Sequence, residues 1–286
     1  MKFLQNTRTT LEMIKWEHSI FALPFALTGA MLAAHGLPAW HVLGWIVVCM
    51  IAARSAAMAF NRLVDARFDA NNARTAMRAI PAGLLSRSYT LGFITVASVV
   101  FVFSASRLNH LTLLLSPLAL AIVFFYSLTK RFTRWSHIFL GISLGVAPAA
   151  AWIAVRGSLD PRILVLTAAV VLWVAAFDTL YACQDIEYDR QAGLNSIPQA
   201  HGAVVAFWMA RLMHVFMILL LVWLSILFGL GKLAIAGIAA VALLLAYEHL
   251  LVSPKDLRRL NAAFFTMNGI ISVVFFLFIA ADLLWK

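Results

Sequence analysis

The chain has 286 residues, of which 63% are hydrophobic and 12% are charged, and its mean hydropathy is +0.92. Soluble domains carry about 25% charged residues, so this composition excludes an ordinary soluble protein. Apolar segments long enough to cross about 30 Å of hydrocarbon recur along the chain. They are continuously apolar rather than alternating, which excludes a transmembrane β-barrel. We therefore predict a polytopic α-helical membrane protein.

The charge balance is basic, with 22 lysine and arginine residues against 12 acidic residues and a formal net charge of +10. The basic residues stand in short connections between apolar segments, which is typical of loops anchored at an anionic membrane surface. We therefore expect a lipid bilayer, and no nucleic acid, among the partners. Cys49 and Cys183 lie in different segments without metal-type spacing, and neither is assigned a disulfide or ligand role.

Hydropathy predicts nine membrane-spanning helices and no linker long enough to separate soluble domains, so residues 1–286 are expected to form one integral-membrane domain. The predicted spans are Trp16–Ala34, Trp40–Phe60, Tyr89–Ser106, Leu111–Leu128, Ser136–Val155, Ile163–Tyr181, Val204–Phe228, Leu233–Leu251 and Ala262–Leu284. The first apolar run imitates a signal peptide, but further spans follow it, and we expect it to stay uncleaved.

Lysine and arginine are unequally shared between the two ends of these spans. The N-terminus and the connections after spans 2, 4, 6 and 8 hold 15 basic residues, whereas the opposite ends hold five. Because basic loops remain in the cytoplasm, we expect a multi-pass protein of a bacterial-type inner (cytoplasmic) membrane with a cytoplasmic N-terminus.

Two acidic stretches interrupt this apolar chain. The first, N-R-L-V-D-A-R-F-D, covers residues 61–69 after span 2, and the second, D-T-L-Y-A-C-Q-D-I-E-Y-D, covers residues 178–189 at the end of span 6. Together they hold six of the 12 acidic residues. Four spans separate the two stretches, so both are expected at the cytoplasmic face, as pseudo-repeated motifs of one shared site.

The spacing of the acids predicts a site for a metal-bound diphosphate. On a helix, Asp65 and Asp69 lie at i and i+4 and share one face. Asp185 and Asp189 repeat this spacing in the second stretch. Like charges at this spacing repel one another unless a cation lies between them, and oxygen ligands suit Mg²⁺ together with substrate phosphates. We predict that the two pairs hold a diphosphate through bridging Mg²⁺.

Further polar residues accompany the two pairs. Asn61 and Gln184 each offer an amide oxygen to the metal or to a metal-bound water, and Asp178 lies two turns before Asp185 on the predicted helical stripe. The alternative is a set of ordinary charges in solvated loops. Two matched pairs on one face of a protein with so little charge favour the metal site.

Basic residues follow the first stretch and the fourth span. Arg74 and Arg78 lie four apart, and Tyr126 lies one turn before Lys130 and Arg131. Arginine binds phosphate or carboxylate through a fork and lysine binds it as a point charge. Membrane anchoring alone would explain such residues, but the opposing acids favour a binding role. Cations and metal would stabilise a leaving diphosphate, and the remaining allylic cation would need a dry pocket with aromatic faces.

These motifs resemble the UbiA superfamily of intramembrane aromatic prenyltransferases. Residues 61–69 match three of the four defining positions of the family's N-D-x-x-D-x-x-x-D. Residues 177–189 are similar to its Y-D-T-x-Y-A-x-x-D-x-x-x-D, residues 74–83 to its R-T-x-x-R-P-x-x-x-G, and residues 126–131 to its Y-x-x-x-K-R. The stretch G-I-S-L-G-V-A-P, residues 141–148, resembles the Gly-rich fifth span of the family.

The resemblance implies an all-α membrane protein with nine transmembrane helices around a central cavity, open laterally to lipid and covered by cytoplasmic cap loops. It implies that Mg²⁺ and the diphosphate of a polyprenyl donor are held by Asp65, Asp69, Asp185 and Asp189. Diphosphate binding or acceptor positioning would fall to Asn61, Arg74, Arg78, Lys130 and Arg131. The remaining substrate-binding residues would be Tyr126, with Asp178 and Tyr181 on the acceptor side.

Within the superfamily, the chain is similar to the 4-hydroxybenzoate polyprenyltransferases and their close UbiA-like relatives, with departures from the expected motifs at three positions. Arg62 replaces the usual Asp, Ala79 stands where Pro is usual, and Asn195 stands where Lys is usual. The opening segment I-K-W-E-H-S-I-F-A-L-P-F-A, residues 14–26, together with A-F-N-R-L-V-D, residues 59–65, also resembles the branch linked to menaquinone synthesis through the futalosine route. The acceptor is therefore a benzoate or a hydroxylated naphthoate, both of which are phenolic acids.

We expect a transferase that moves a polyprenyl group from an allylic polyprenyl diphosphate to an aromatic hydroxy acid, in ubiquinone or menaquinone synthesis. A cation-coupled transporter is the rival from another class, because intramembrane acids often mark ion paths. Against it, the acids lie at span ends beside basic loops, and the broken spans of inverted-repeat transporters are not evident. A CDP-alcohol phosphotransferase would carry a D-G-x-x-A-R signature, which this sequence lacks.

Overall fold

The structure is a computed structural model that describes residues 2–15, 22–260 and 266–285, and the regular structure of these ranges is helical. The helices are α1 (Lys2–Ile14), α2 (Leu23–Ala34), α3 (Trp40–Asn71), α4 (Arg87–Ser106), α5 (His110–Thr129), α6 (Ser136–Arg156), α7 (Ile163–Ala182), α8 (Ile186–Ala192), α9 (Ile197–Leu227), α10 (Lys232–Leu251) and α11 (Asn268–Leu284).

Seven helical segments are long and apolar enough to cross a membrane, and they correspond to predicted spans 2 to 8. They are Trp40–Asn71, Arg87–Ser106, His110–Thr129, Ser136–Arg156, Ile163–Ala192, Ile197–Leu227 and Lys232–Leu251. Helices α2 and α11 have only 12 and 17 residues. The predicted first and last spans, Trp16–Ala34 and Ala262–Leu284, begin outside the described residues. A multi-pass helical protein is confirmed, but the count of nine spans is not.

The N-terminal helix α1 is a feature that hydropathy did not predict. Its Met13 and Ile14 are buried in an apolar cluster with Ala59 of α3 and Ile94 of α4. The hydroxyl oxygen of Thr10 lies 3.1 Å from that of Tyr89 at the start of α4. These contacts hold α1 beside the part of α3 that leads into the first acidic stretch.

The largest cluster of buried apolar residues lies among α2, α6, α7, α9, α10 and α11. Trp173 of α7 is fully buried, and its ring centroid lies 4.9 Å from that of Phe25 and 5.0 Å from that of Phe177. Phe25 also stacks on Phe275 of α11 at 5.3 Å. Apart from Asp178 near its end, helix α7 is almost entirely apolar and most of its residues are buried, as expected for a helix at the centre of a bundle.

Helix α6 approaches α7 through two glycines that are four residues apart. A Cβ atom at Gly141 would lie 2.4 Å from the carbonyl oxygen of Val171, and one at Gly145 would lie 2.5 Å from a methyl carbon of the same residue. Small residues at this spacing let helix backbones come close together in membranes. The predicted Gly-rich span therefore forms a wall, with the dense core on one side and a hollow region beside α3 and α5 on the other.

The first acidic stretch lies on one uninterrupted helix, as predicted. Helix α3 continues past the predicted span end at Phe60 and stops only at Asn71. Both Asp65 and Asp69 are buried, which places the two carboxylates on the inner face of this helix. The connection from residue 72 to residue 86 then folds back as a series of turns before α4 begins.

The second acidic stretch differs from its prediction. Helix α7 ends at Ala182, a 3₁₀ turn covers Cys183–Asp185, and α8 starts at Ile186. Asp185 has φ −107° and ψ 7°, which breaks the helical ladder and redirects the chain. The continuous stripe predicted to connect Asp178 with Asp185 is therefore wrong, because a tightened turn at the helix end changes the angle between successive side chains.

Candidate active site

A cavity of about 1030 Å³ lies among α3, α5, α6 and α7. Both acidic stretches contribute to one end of it, and the connection between α3 and α4 covers this charged end as a cap loop. Its interior is apolar, with Met58 and Ile122 among the lining residues, and it reaches Leu108 and Ile153 at the other end of the helices. The predicted convergence of both stretches on one shared site is therefore present in the fold.

Asp65 is the most heavily partnered acid of the site. Its side chain is 3% exposed and lies 2.7 Å from Nζ of Lys130 and 3.1 Å from Nη2 of Arg131. Asn61, one turn earlier on α3, donates its side-chain amide to Oδ2 of Asp65 at 3.1 Å. The basic pair between α5 and α6 therefore neutralises the first acid of α3.

Asp69 has one satisfied oxygen and one free oxygen. Its Oδ1 accepts a hydrogen bond of 2.7 Å from Nη1 of Arg78 in the cap loop. Its Oδ2 is buried and has no hydrogen-bond partner among the described residues. Thr75 also ties the cap loop to α3, since its hydroxyl donates to the main-chain carbonyl of Asp69 at 3.0 Å. A buried acceptor without a partner is costly, so Oδ2 is a candidate cation ligand.

Asp185 binds the cap loop through a fork. Nε of Arg74 donates to its Oδ1 at 3.0 Å, and Nη2 of Arg74 donates to its Oδ2. Asn72 adds a bond of 3.3 Å to Oδ1, and Nη1 of Arg74 lies 3.4 Å from the hydroxyl of Tyr181. Burial opposes the positive charge of Arg74, but the bond and charge of Asp185 outweigh it and raise the pKa of Arg74 above its usual value.

The remaining acids of the second stretch have separate environments. Asp189 lines the cavity, and its Oδ2 accepts a hydrogen bond of 3.0 Å from the hydroxyl of Ser196 at the start of α9. Glu187 faces away, is 77% exposed and, among the described residues, pairs with Arg190 alone, at 3.2 Å. The stretch therefore contributes Asp178, Asp185 and Asp189, but not Glu187, to the cavity wall.

Two predicted residues do not line the cavity. The guanidinium of Arg131 stands behind Asp65, where it also donates to the main-chain carbonyl of Val64 at 2.9 Å and lies 5.5 Å from the ring centroid of Phe68. Gln184 turns back to its own segment and donates to the main-chain carbonyl of Tyr181 at 3.0 Å. The predicted residues that do line the cavity are Asn61, Asp65, Asp69, Arg74, Arg78, Tyr126, Lys130, Asp178, Tyr181, Asp185 and Asp189.

Sequence reasoning did not select two arginines of the cavity wall. Arg54 lies seven residues before Asn61, and its buried Nε has no hydrogen-bond partner among the described residues. Arg62 also lines the cavity and makes no hydrogen bond or ion pair with any described residue, although the charges of Asp69 and Asp65 act on it. An arginine within an apolar span, as at position 54, is the sequence signal that indicates such a role.

His137 was missed as well, because a single histidine beside a basic loop carries no motif. Its ring is buried, and its Nδ1 lies 2.7 Å from Oδ2 of Asp178. Asn195, where the sequence departs from the benzoate enzymes, donates its main-chain N–H to the carbonyl of Lys130 at 2.7 Å. The segment before α9 therefore connects to the basic pair and supports the cavity rim.

The residues present fit a magnesium ion that also binds substrate phosphates. No group of three or more histidine, cysteine or acidic side chains is close enough to hold a metal within the described part of the chain. Mg²⁺ needs only one or two carboxylates when phosphate oxygens complete its coordination. Asp69 already presents a buried oxygen without a partner in the described ranges, and Asp65, Asp185 and Asp189 supply oxygen donors in the same cavity wall.

The fold and this site together define a multi-pass helical membrane protein that combines a charged, acid-lined cavity end with an apolar interior. Residues 22–270 match the model of the UbiA prenyltransferase family. The chain belongs to that family and is a prenyltransferase, as the motifs predicted.

Curated relatives match nearly the whole chain. The 4-hydroxybenzoate octaprenyltransferase of Vibrio cholerae serotype O1 is 31% identical over 256 residues, which cover 87% of this chain and 88% of the relative. The 4-hydroxybenzoate octaprenyltransferase of Aliivibrio fischeri (strain MJ11) is 29% identical over 268 residues, which cover 94% and 93% of the two chains.

Solved structures share the fold. The apo structure of a UbiA homolog from Aeropyrum pernix K1 is 33% identical, with a TM-score of 0.86 over 94% of this chain and 98% of the other. A UbiA homolog from Archaeoglobus fulgidus bound to DMAPP and Mg²⁺ is 17% identical, with a TM-score of 0.74 over 96% and 99% of the two chains. The second similarity concerns the fold alone.

Proposed function

We propose that this protein transfers a polyprenyl group from an allylic polyprenyl diphosphate to an aromatic hydroxy acid of the 4-hydroxybenzoate type, with Mg²⁺, in quinone biosynthesis. The single observation that carries the proposal is one continuous cavity of about 1030 Å³ with acids and bases at one end and apolar walls at the other. A polyprenyl diphosphate matches this cavity, because it has a charged head at one end and a hydrocarbon tail at the other.

The charged end of the cavity is where the diphosphate binds in this proposal. Asp65, Asp69, Asp185 and Asp189 would hold Mg²⁺, with Asn61 assisting through its amide. When bound, Mg²⁺ supplies positive charge to the leaving diphosphate oxygens and so favours departure of the diphosphate. The Archaeoglobus fulgidus homolog of the same fold binds DMAPP and Mg²⁺, which supports this assignment.

The basic residues complete the binding of the donor. Arg74, Arg78 and Lys130 each pair with an acid of the site. The same donors suit diphosphate oxygens once a metal takes over the carboxylates. Arg131 lies behind Asp65, and its role is to orient that carboxylate rather than to contact the diphosphate. Arg62, without an ion-pair partner in the described residues, adds a further positive charge to the cavity wall.

The deeper part of the cavity accommodates the hydrocarbon and the acceptor. Apolar walls exclude water from an allylic cation, and the half-buried Tyr126 is an aromatic residue of the cavity lining. The acceptor's carboxylate pairs with Arg54, whose guanidinium otherwise leaves a buried donor unsatisfied. Asp178 and Tyr181 form the acceptor side of this pocket. Both 4-hydroxybenzoate and a dihydroxynaphthoate carry the carboxylate and phenol that this arrangement requires.

We also propose the membrane arrangement that the charge distribution favours. The chain is one domain of nine transmembrane helices in a bacterial inner membrane, with α2 and α11 as parts of the first and last spans. The N-terminus and the acid-lined end of the cavity face the cytoplasm, where soluble aromatic acids and Mg²⁺ are available. The side of the N-terminus holds 15 basic residues and the opposite side holds five, which supports this orientation.

The test is prenyl transfer by purified protein in detergent or nanodiscs, with Mg²⁺ and geranyl or longer diphosphates. Each reaction offers 4-hydroxybenzoate and a dihydroxynaphthoate together, and Asp65→Ala and Asp185→Ala serve as inactive controls. Prenylated product on one ring, absent in both variants, establishes the reaction and identifies the acceptor. A wild-type protein that neither binds nor consumes the diphosphate contradicts the proposal and favours a cation-coupled transporter.

A further inference from the structure

His137 joins three helices beside the cavity. The residue lies in the first turn of α6 and is 3% exposed. Its Nδ1 lies 2.7 Å from Oδ2 of Asp178 on α7, and its Nε2 lies 3.3 Å from the main-chain nitrogen of Ile197, where α9 begins. Both His137 and Asp178 line the cavity.

The contact with α9 determines which ring nitrogen of His137 carries the proton. A main-chain N–H can only donate, so Nε2 must present its lone pair to Ile197. The neutral ring then carries its hydrogen on Nδ1 and donates it to the carboxylate of Asp178. This leaves Oδ1 of Asp178, which makes no hydrogen bond with any described residue, as an acceptor beside the cavity.

Asp178 lies within α7, before the 3₁₀ turn that carries Asp185, and is therefore further from the charged end than Asp185 and Asp189. Arg54 precedes Asn61 on the continuous helix α3 by seven positions, or about 10 Å of helix rise, and also lines the cavity. A carboxylate and an arginine whose buried Nε has no hydrogen-bond partner among the described residues therefore line the same cavity. An aromatic acid with its carboxylate on Arg54 would have its phenol inside the cavity that Asp178 lines.

We propose that Asp178, oriented by His137, is the base that takes the phenol proton of the acceptor. This inference rests on the proposed function. The C1–O bond of the allylic diphosphate breaks, and its electron pair leaves with the diphosphate. The phenol gives its proton to Oδ1 of Asp178. The ring carbon adjacent to the one that bears the phenol oxygen then forms the new C–C bond with C1 of the prenyl group.

The remaining protons balance within the same turnover. The attacked ring carbon loses its hydrogen as a proton to the departing diphosphate, which restores the aromatic ring as a phenolate. Asp178 then returns its proton to the phenolate oxygen. The net products are the prenylated hydroxy acid and a protonated diphosphate, and Asp178 begins the next turnover as a carboxylate.

His137 acts as a positioning residue in this scheme, and two substitutions separate its contacts. The amide nitrogen of asparagine occupies about the position of Nδ1, so His137→Asn preserves a donor to Asp178 and loses the contact with Ile197. Glutamine places its amide near Nε2, so His137→Gln preserves an acceptor for Ile197 and loses the donor to Asp178. We expect His137→Asn to retain kcat within a few fold and His137→Gln to lose it, whereas a merely structural role predicts no such ranking.

Chemical rescue by acidic phenols tests Asp178 itself. Asp178→Asn is assayed with the acceptor that wild-type protein uses and with ring-fluorinated derivatives whose phenols are more acidic and whose attacked position is free. A general base contributes roughly 100-fold or more, so kcat of Asp178→Asn should fall by about that factor with the parent acceptor. The loss of kcat relative to the wild type should become smaller as the phenol becomes more acidic, while binding of geranyl diphosphate stays at the wild-type level.

Two other results would overturn the inference. If Asp178→Asn loses kcat by the same factor with every phenol, Asp178 only supports the fold or binds the acceptor. If kcat is unchanged, Asp178 takes no part in the reaction. Asp160→Asn, at the opposite end of the helices and paired with Arg162, controls for the loss of one carboxylate. Wild-type transfer to any acceptor upholds the proposed function whatever Asp178→Asn shows. No transfer by the wild type refutes both.

Discussion

The hydroxyl of Tyr188 donates a hydrogen bond to the main-chain carbonyl oxygen of Phe68, and this contact joins the two acidic stretches across 120 residues of sequence. Tyr188 lies in α8, which is separated from α7 by a 3₁₀ turn, and Phe68 directly precedes Asp69 on α3. Because α8 does not continue the helix before it, its position relative to α3 depends on such contacts. The distance between the two sets of carboxylates therefore depends on Tyr188.

We predict that Tyr188→Phe loosens the site without removing any proposed ligand. Losing the hydrogen bond should lower the free energy of unfolding by about 0.5–1.5 kcal/mol. It should also raise the KM for geranyl diphosphate more than the KM for the acceptor, since the contact joins only the acidic ends. Thermal unfolding in detergent and steady-state kinetics measure the two effects. Tyr247→Phe, at an exposed position on α10, is the matched control and should change neither quantity.

The acids of the second stretch should differ sharply in their effect on metal dependence. Removing a carboxylate that holds the metal costs several kcal/mol of transition-state stabilisation, so Asp185→Asn should lower kcat/KM by about 100-fold or more. Glu187→Gln, on the exposed face and two residues away, should retain wild-type activity. Chelation with EDTA should abolish transfer by the wild type, and added Mg²⁺ should restore it. Equal losses in both variants would contradict the assignment of Asp185 to the site.

The two adjacent basic residues should separate into a substrate contact and a structural support. Lys130 lines the cavity, whereas Arg131 stands behind Asp65 and binds the carbonyl of Val64. Lys130→Gln should therefore raise the KM for the diphosphate, and it should also lower the free energy of unfolding because Lys130 is a partner of the buried Asp65. Arg131→Gln should lower the free energy of unfolding by roughly 1–3 kcal/mol, because it removes a partner from a buried carboxylate and a carbonyl. Steady-state kinetics and unfolding are measured for both variants. If Lys130→Gln and Arg131→Gln change the KM for the diphosphate and the free energy of unfolding to the same extent, the two residues do not have separate roles.

Much of the site was predictable because helical spacing and motif order are properties of the sequence. The i and i+4 spacing placed Asp65 and Asp69 correctly, since α3 is one continuous helix. The even number of spans between the acidic stretches predicted that both reach the same end of the bundle, and both line one cavity. The positions of Arg74, Arg78 and Lys130 followed from the family motifs.

The rest depends on contacts between distant segments, which spacing does not encode. Nothing local indicates that the chain tightens into a 3₁₀ turn at Asp185, where Arg74 and Asn72 of the cap loop bind it. The burial of His137 against Asp178 likewise requires α6 and α7 to be packed first. The direction of Arg131, away from the cavity, is set by Asp65 and could not be read from its place beside Lys130.

The close approach of α6 and α7 predicts a strong effect at one glycine. A Cβ atom at Gly141 would lie 2.4 Å from the carbonyl oxygen of Val171, which is main chain and cannot turn aside, so Gly141→Ala must push the two helices apart. Overpacking of this kind typically costs about 1–3 kcal/mol. Because α6 carries His137 and α7 carries Asp178, transfer activity should fall together with stability.

Gly92→Ala on α4 is the matched control for Gly141→Ala. A Cβ atom at Gly92 meets nothing within 4 Å among the described residues, so the substitution only exchanges one helical residue for a better helix former. It should leave activity unchanged and leave stability equal or raise it by about 0.5–1 kcal/mol. Thermal unfolding and prenyl transfer, measured for both variants in the same detergent, test whether only Gly141→Ala loses stability and activity. If Gly141→Ala is as stable as Gly92→Ala, α6 and α7 are not in the close contact that forms the wall of the cavity.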